Sequence, residues 1–338
     1  MERHHLLPEC SGRVMPFFWV CSYNSSQEGA CAFLEYHVDI EFKPLYELMN
    51  SLHAYICRKS HKKIVLAPGW VKETKKSLTP ELASILDEME VDNDWKLTYL
   101  LVYLCRDGSE VESFLAWLEG KSTGELYELI AEYSHQFPKD MGQFRSRILS
   151  VFSQWNDQYF KHIDHSILDS LQEEAKERKD VMTSGRLEAG EFIDSTTNGL
   201  VFNPKEGLER LVLVPQYHFQ PINVISHFGK LTLCHYSARI YPENPAAFPL
   251  HEYHMIRALG ENNRLKILRY LHQGPRSFTE IVRHLKLSKG ITHDHISKLR
   301  NGGFIRAHFE GETLTEYSLR PEMLEHLHVK LMEYILHE

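Results

Sequence analysis

The chain has 338 residues, of which 43% are hydrophobic and 25% charged, which excludes wholesale disorder and fibrous repeats. Its formal charge of −8, with histidine neutral, argues against nucleic-acid binding by the molecule taken as a whole. No apolar run approaches the roughly 18 residues needed to span a bilayer, and the sparse cysteines, without a CxxC pair, fit a reducing cytoplasm.

Residues 1–36 read as a loosely ordered extension, because the apolar run at 14–21 is short and broken by Pro16. Residues 37–240 read as a mainly helical domain. Over 42–57, Leu45, Leu48, Met49, Leu52, Tyr55 and Ile56 fall on one helical face. Thr79-Pro80-Glu81 opens a helix, a capping hydroxyl followed by proline at the first helical position. Ser109 with Glu112, and Ser122 with Glu125, have capping-box spacing. Residues 140–198 read as two further helices. Short strands at 199–202, 211–214 and 230–236 are expected to close this domain.

Three prolines in 241–249 cannot continue a helix or pair in a central strand, so this stretch is the expected linker. The remainder, 250–338, forms a compact series. Helices are expected at 251–259 and 262–271, then one opened by the capping box Ser277-Phe278-Thr279-Glu280, with Ile281, Val282 and Leu285 inward. The turn Leu287-Ser288-Lys289-Gly290 leads to a fourth helix at 291–301, ended by Gly302-Gly303. Strands at 304–309 and 313–319 alternate around Glu310-Gly311-Glu312. Two short helices, a tight turn and a hairpin make a winged helix-turn-helix, whose second helix can enter a major groove where base edges differ. The expected fold class is mainly α with minor β, a helical N-terminal domain followed by this module. Charge supports DNA as the partner: residues 262–306 hold ten Lys/Arg against two acids, +8, whereas residues 1–249 sum to −10.

The segment Ala258-Leu259-Gly260-Glu261-Asn262-Asn263-Arg264-Leu265-Lys266-Ile267-Leu268-Arg269-Tyr270-Leu271 resembles the opening of ArsR-family bacterial transcription regulators. Leu287-Ser288, His295-Ile296, Leu299-Arg300 and Gly303-Phe304-Ile305 are similar to that family's recognition-helix pattern, and Tyr317-Ser318-Leu319 to the strand leaving its wing. The resemblance covers about 80 residues of the 338. It implies binding of a double-stranded DNA operator of roughly palindromic sequence as a homodimer, usually as a repressor relieved by an effector. By position, His293, Asp294, His295 and Lys298 would face bases or nearby phosphates. Ser288, Lys289, Thr292 and Arg300 would mainly contact phosphates, and Arg306 and His308 would lie on the wing's flank. The sequence departs from the family pattern at His293, which replaces a serine, at the acidic Asp294, and at the wing tip, where Glu310 and Glu312 stand in place of basic residues. With His293, His295 and His308 near DNA, operator affinity is expected to rise as pH falls from 8 to 6.

Other readings stay open. The winged helix could serve protein contact or dimerisation without DNA. The stripe Leu324, Leu327, Leu331, Tyr334 and Ile335 could be a dimer seam or packing on the module's own core, and the resemblance favours the dimer. The N-terminal domain could sense a small-molecule effector or partner, or be purely structural. Metal sensing is less favoured: no cysteine follows Cys234, and His326-x-His328 does not share a helical face. No cofactor is implied. No acid–base or nucleophile constellation points to an enzyme: His251-Glu252-Tyr253-His254 is not HExxH, and Gly120-Lys121-Ser122 lacks the first glycine of a P-loop.

Overall fold

The computed structural model describes residues 18–22, 34–66, 69–106, 110–241 and 248–336, with side chains from residue 36 onward. The chain begins with strands β1 (Phe18–Ser22) and β2 (Leu34–Ile40), then helix α1 (Pro44–Ile56). A 3-10 turn at Arg58–Ser60 precedes α2 (Gly69–Ser77), α3 (Pro80–Glu88), α4 (Asn93–Leu104), α5 (Val111–Glu119) and α6 (Thr123–Ala131). Next come α7 (Met141–Gln158), α8 (His165–Thr183), α9 (Ala189–Thr197), and strands β3 (Leu200–Asn203), β4 (Arg210–Gln216), β5 (Val224–Phe228) and β6 (Leu231–Ser237). The C-terminal part holds α10 (Leu250–Leu259), α11 (Asn262–Leu271), α12 (Phe278–Leu285), α13 (Lys289–Asn301), β7 (Ile305–Glu310), β8 (Thr313–Leu319) and α14 (Glu322–Leu336). Among the described residues the fold is mainly α with minor β.

The local signals act as their chemistry requires. Thr79 Oγ1 accepts from the Leu82 N–H, with Pro80 opening α3. Ser122 with Glu125, and Ser277 with Glu280, close reciprocal capping boxes. The box expected from Ser109 to Glu112 begins outside the described residues; within them, Glu110 is the N-cap of α5 and Glu112 accepts from Asn156 Nδ2 at 3.1 Å. Where two helices were expected over 140–198 there are three, because α9 is a separate short helix.

The strands do more than close a helical domain. β1, β2, β4, β6 and β5 form one five-stranded sheet in that order, with parallel pairing across β2, β4 and β6 and antiparallel outer pairs. This sheet is the middle layer, and the two-residue period sends alternate side chains to opposite faces. Val212, Val214, Leu231 and Leu233 pack with α1 and α3–α7, whereas Leu211, Leu213, Cys234 and Tyr236 pack with α8, α9 and the C-terminal helices. Burial on both faces explains the apolar run at 211–215 of β4, whereas β6, equally buried, also encloses Thr232, His235 and Ser237. The N-terminal extension is likewise not wholly irregular: β1 pairs with β2, which begins at Leu34. The proline-rich stretch at 242–247 lies outside the described residues.

β3 leaves the central sheet altogether. It pairs in parallel with β7, so the wing hairpin becomes a three-stranded sheet ordered β3, β7, β8. Tyr36, Phe192, Leu211 and Cys234 belong to the same apolar cluster as Met255, Ile267, Ile296 and Phe304. The core therefore does not divide where the prolines stand.

Candidate nucleic-acid interface

α12 ends at Lys286, whose left-handed backbone (φ 56°) turns the chain sharply, and Ser288 caps α13 by accepting from the Ile291 N–H at 3.3 Å. The second helix therefore begins at Lys289, two residues before the expected start. Thr292, Ile296 and Leu299 anchor one side of α13 in the core. Gly303, at φ +73°, ends it and sends the chain into β7. The hairpin turns at Gly311, and an isolated bridge between Arg276 and Tyr317 ties the segment before α12 to β8. This is the geometry of a winged helix-turn-helix.

A family model described as bacterial regulatory protein, arsR family, matches residues 261–307. The segment is an ArsR-type helix-turn-helix. No curated protein and no solved structure matches the chain.

The ten residues singled out from sequence separate into two groups. Ser288, Lys289, His293, Asp294 and Lys298 lie exposed on α13 or at its start. Ser288 is engaged in capping, and Asp294 accepts from Lys298 Nζ at 2.7 Å, a contact that holds its carboxyl below the usual range. That pairing offsets much of the repulsion an isolated acid would exert on phosphate.

The other five are buried or half-buried. Thr292 is fully buried beneath the helix. The His295 side chain is 12% exposed, with Nδ1 3.6 Å from Glu261, the residue capping α11. Arg300 folds inward within electrostatic reach of Tyr317 and Cys234, and burial lowers its pKa. Arg306 donates from Nε to Asp194 Oδ1 at 2.8 Å, and also pairs with Glu322. His308 Nε2 lies 2.8 Å from Ser318 Oγ, and burial pulls its pKa below that of a free imidazole. The helical period explains Thr292 and His295, and the neighbouring chain explains Arg300 and Arg306. Of the three histidines expected near DNA, His293 is the exposed one.

Several residues with roles here carried no sequence motif. Asp194 on α9 receives both Arg306 and Arg320, the latter through Nε at 2.8 Å. Asn198 donates from Nδ2 to the Asn301 carbonyl at the end of α13. The wing tip is held too, since Glu312 pairs with Lys96 of α4. Along its other flank α13 faces a groove of about 200 Å³, whose walls include Ser60, Lys63, Asn223, His293, Ser297 and Arg300. The available signal for this side was the run Arg58-Lys59-Ser60-His61-Lys62-Lys63 inside an acidic region.

No helix among the described residues is long and apolar enough to cross a membrane. His326 is paired with Glu252 at 3.3 Å, and Lys330 with Glu333 at 2.8 Å, while His337 lies outside the described residues.

Proposed function

We propose that this chain is a DNA-binding transcriptional regulator acting as a repressor, with the exposed side of α13 entering the major groove. The observation that carries the reading is an ArsR-type helix-turn-helix whose recognition helix keeps Lys289, His293 and Lys298 exposed. Around them, Lys266, Arg269, Arg283 and Lys286 are also exposed, and these cations neutralise phosphates.

The reading includes a homodimer. α14 divides its apolar stripe: Leu327 is buried and Leu331 half-buried toward the chain's own core, whereas Leu324, Tyr334 and Ile335 are exposed, as are Tyr253 and Ile256 on the adjoining α10. Ile335 is 68% exposed, and a patch of this kind is characteristic of an association surface. A two-fold pair of recognition helices requires a roughly palindromic operator.

Effector or partner control would act through the β4–β5 loop. Glu47, fully buried on α1, is 2.6 Å from His218 Nδ1, and His218 Nε2 lies 2.7 Å from the Tyr159 hydroxyl. Three residues on, the same loop lines the groove along α13 with Pro221, Ile222 and Asn223. A ligand that repacked this buried chain of polar groups would shift the wall beside the recognition helix.

The second reading, a winged helix used for protein contacts, draws on the wing, which is already engaged by β3 and Lys96. Selection from a randomised duplex pool by the full chain separates the two. The DNA reading predicts enrichment of a two-fold-symmetric site, with altered preference at the bases beside residue 293 in His293→Ala. A pool that stays random supports the protein-contact reading.

A further inference from the structure

The recognition helix has a basic neighbour outside the winged helix. Residues 58–63 contain four Lys/Arg and His61, and no acid occurs between Glu47 and Glu73. The backbone of this segment is anchored. Cys57 Sγ donates to Ser60 Oγ at 3.3 Å, the Arg58 guanidinium donates to the carbonyls of Leu86 and Met89, and the Val65 N–H donates to the Gln220 carbonyl at 2.9 Å. Ile64 is buried against Phe219 and Ala54. Lys59, Lys62 and Lys63 are nevertheless exposed, and none of the three ammonium groups has a hydrogen-bond or ion-pair partner among the described residues. Lys63 shares the groove along α13 with His293 and Ser297.

We propose that the DNA-contacting surface is composite: Lys59, Lys62 and Lys63 bind the phosphate backbone flanking the major groove that α13 enters. The proposal rests on the DNA-binding reading above and assigns the N-terminal part a direct share in it. Charge favours a phosphate backbone as the occupant, because three exposed cations sit on a fixed turn, and one of them, Lys63, shares the groove along α13 with His293. The hairpin cannot supply this charge. Its tip carries Glu310 and Glu312, and Glu312 is committed to Lys96. The lysine turn thus stands in for the positive charge that the wing lacks.

The test is fluorescence anisotropy of a mixed-sequence duplex of about 30 base pairs, titrated with the full chain between about 50 and 200 mM salt. Relative to wild type, Lys59→Gln/Lys62→Gln/Lys63→Gln should bind about tenfold or more weakly at the lower salt. The slope of log affinity against log salt should become shallower by about one unit per lysine. A control with equal charge loss, Lys161→Gln/Lys176→Gln/Lys179→Gln, should stay within about twofold, because screening confines exposed charges to local effects. Unchanged or tighter binding by the first variant, or equal loss in both, would overturn the proposal while leaving the DNA-binding reading standing. Absence of binding by the wild-type chain at the lower salt would overturn that reading and the proposal together.

Discussion

Asp194 joins two parts of the chain that the sequence keeps more than a hundred residues apart. Its carboxylate receives Arg306 and Arg320, and Arg320, only 5% exposed, also donates to the carbonyl oxygens of Asp194 and Gly303. Removing the acid takes away the nearer carboxylate of a buried guanidinium and leaves only Glu322, at 3.7 Å, so the cost is at most the roughly 3–5 kcal/mol of a broken buried pair. Asp194→Ala should lower the denaturant midpoint accordingly, and Asp194→Ala/Arg320→Met should recover part of the loss. An Asp194→Ala midpoint equal to wild type would mean that the pair is not a structural joint. A second residue-scale consequence concerns pH. Burial drives His53 and His235 down to about 3 from 6.5, and for His235 the neighbouring His53 adds to the effect. Such groups are neutral when folded but take up protons when unfolded, so their contribution is complete above about 6.5 and is lost as pH falls toward 3. Stability should therefore drop between pH 7 and pH 5, and His235→Phe should flatten that drop. Identical pH profiles for the two proteins would contradict the assignment.

At the scale of elements, legibility followed sequence distance. The helix-turn-helix could be read because its signals are local: a capping box at Ser277, a turn at Leu287-Ser288-Lys289-Gly290, a glycine stop at Gly302 and Gly303, and core positions at helical spacing. The path of β3 could not be read, since four residues carry no mark of a partner a hundred positions away. For the same reason, nothing local to Arg300 on α13 or to Arg306 on β7 indicates that Cys234 of β6 and Asp194 of α9 lie beside them. The basic turn at 58–63 was visible as composition, yet only the fold brings it beside α13. β3 also has a structural task, covering the otherwise open edge of β7. Gly199 enables it, with φ +99° and the Ile305 carbonyl oxygen 2.9 Å from where a Cβ would stand. Gly199→Ala should destabilise the protein by more than about 1 kcal/mol; a smaller change in denaturant midpoint would show that β3 docking is dispensable.

For the whole molecule, the shared core makes the two parts one cooperative structure. A fragment of residues 250–338 would lose β3, Asp194 and the sheet beneath Ile296 and Phe304, leaving the β7 edge open and Arg320 without the nearer of its two acids. It should unfold or self-associate when followed by circular dichroism and sedimentation, whereas a stable, monomeric fragment with native helicity would contradict the joint core. In the proposed function, a chain of net charge −8 would bind DNA through the basic residues of α11–α13 and through Lys59, Lys62 and Lys63. The most direct measurement is the affinity of the full chain for duplex DNA as a function of salt. Phosphate contacts predict a linear fall of log affinity with log salt, at a slope of about −0.9 per phosphate neutralised. No detectable binding at about 50 mM salt, or a slope near zero, would contradict DNA recognition by these residues.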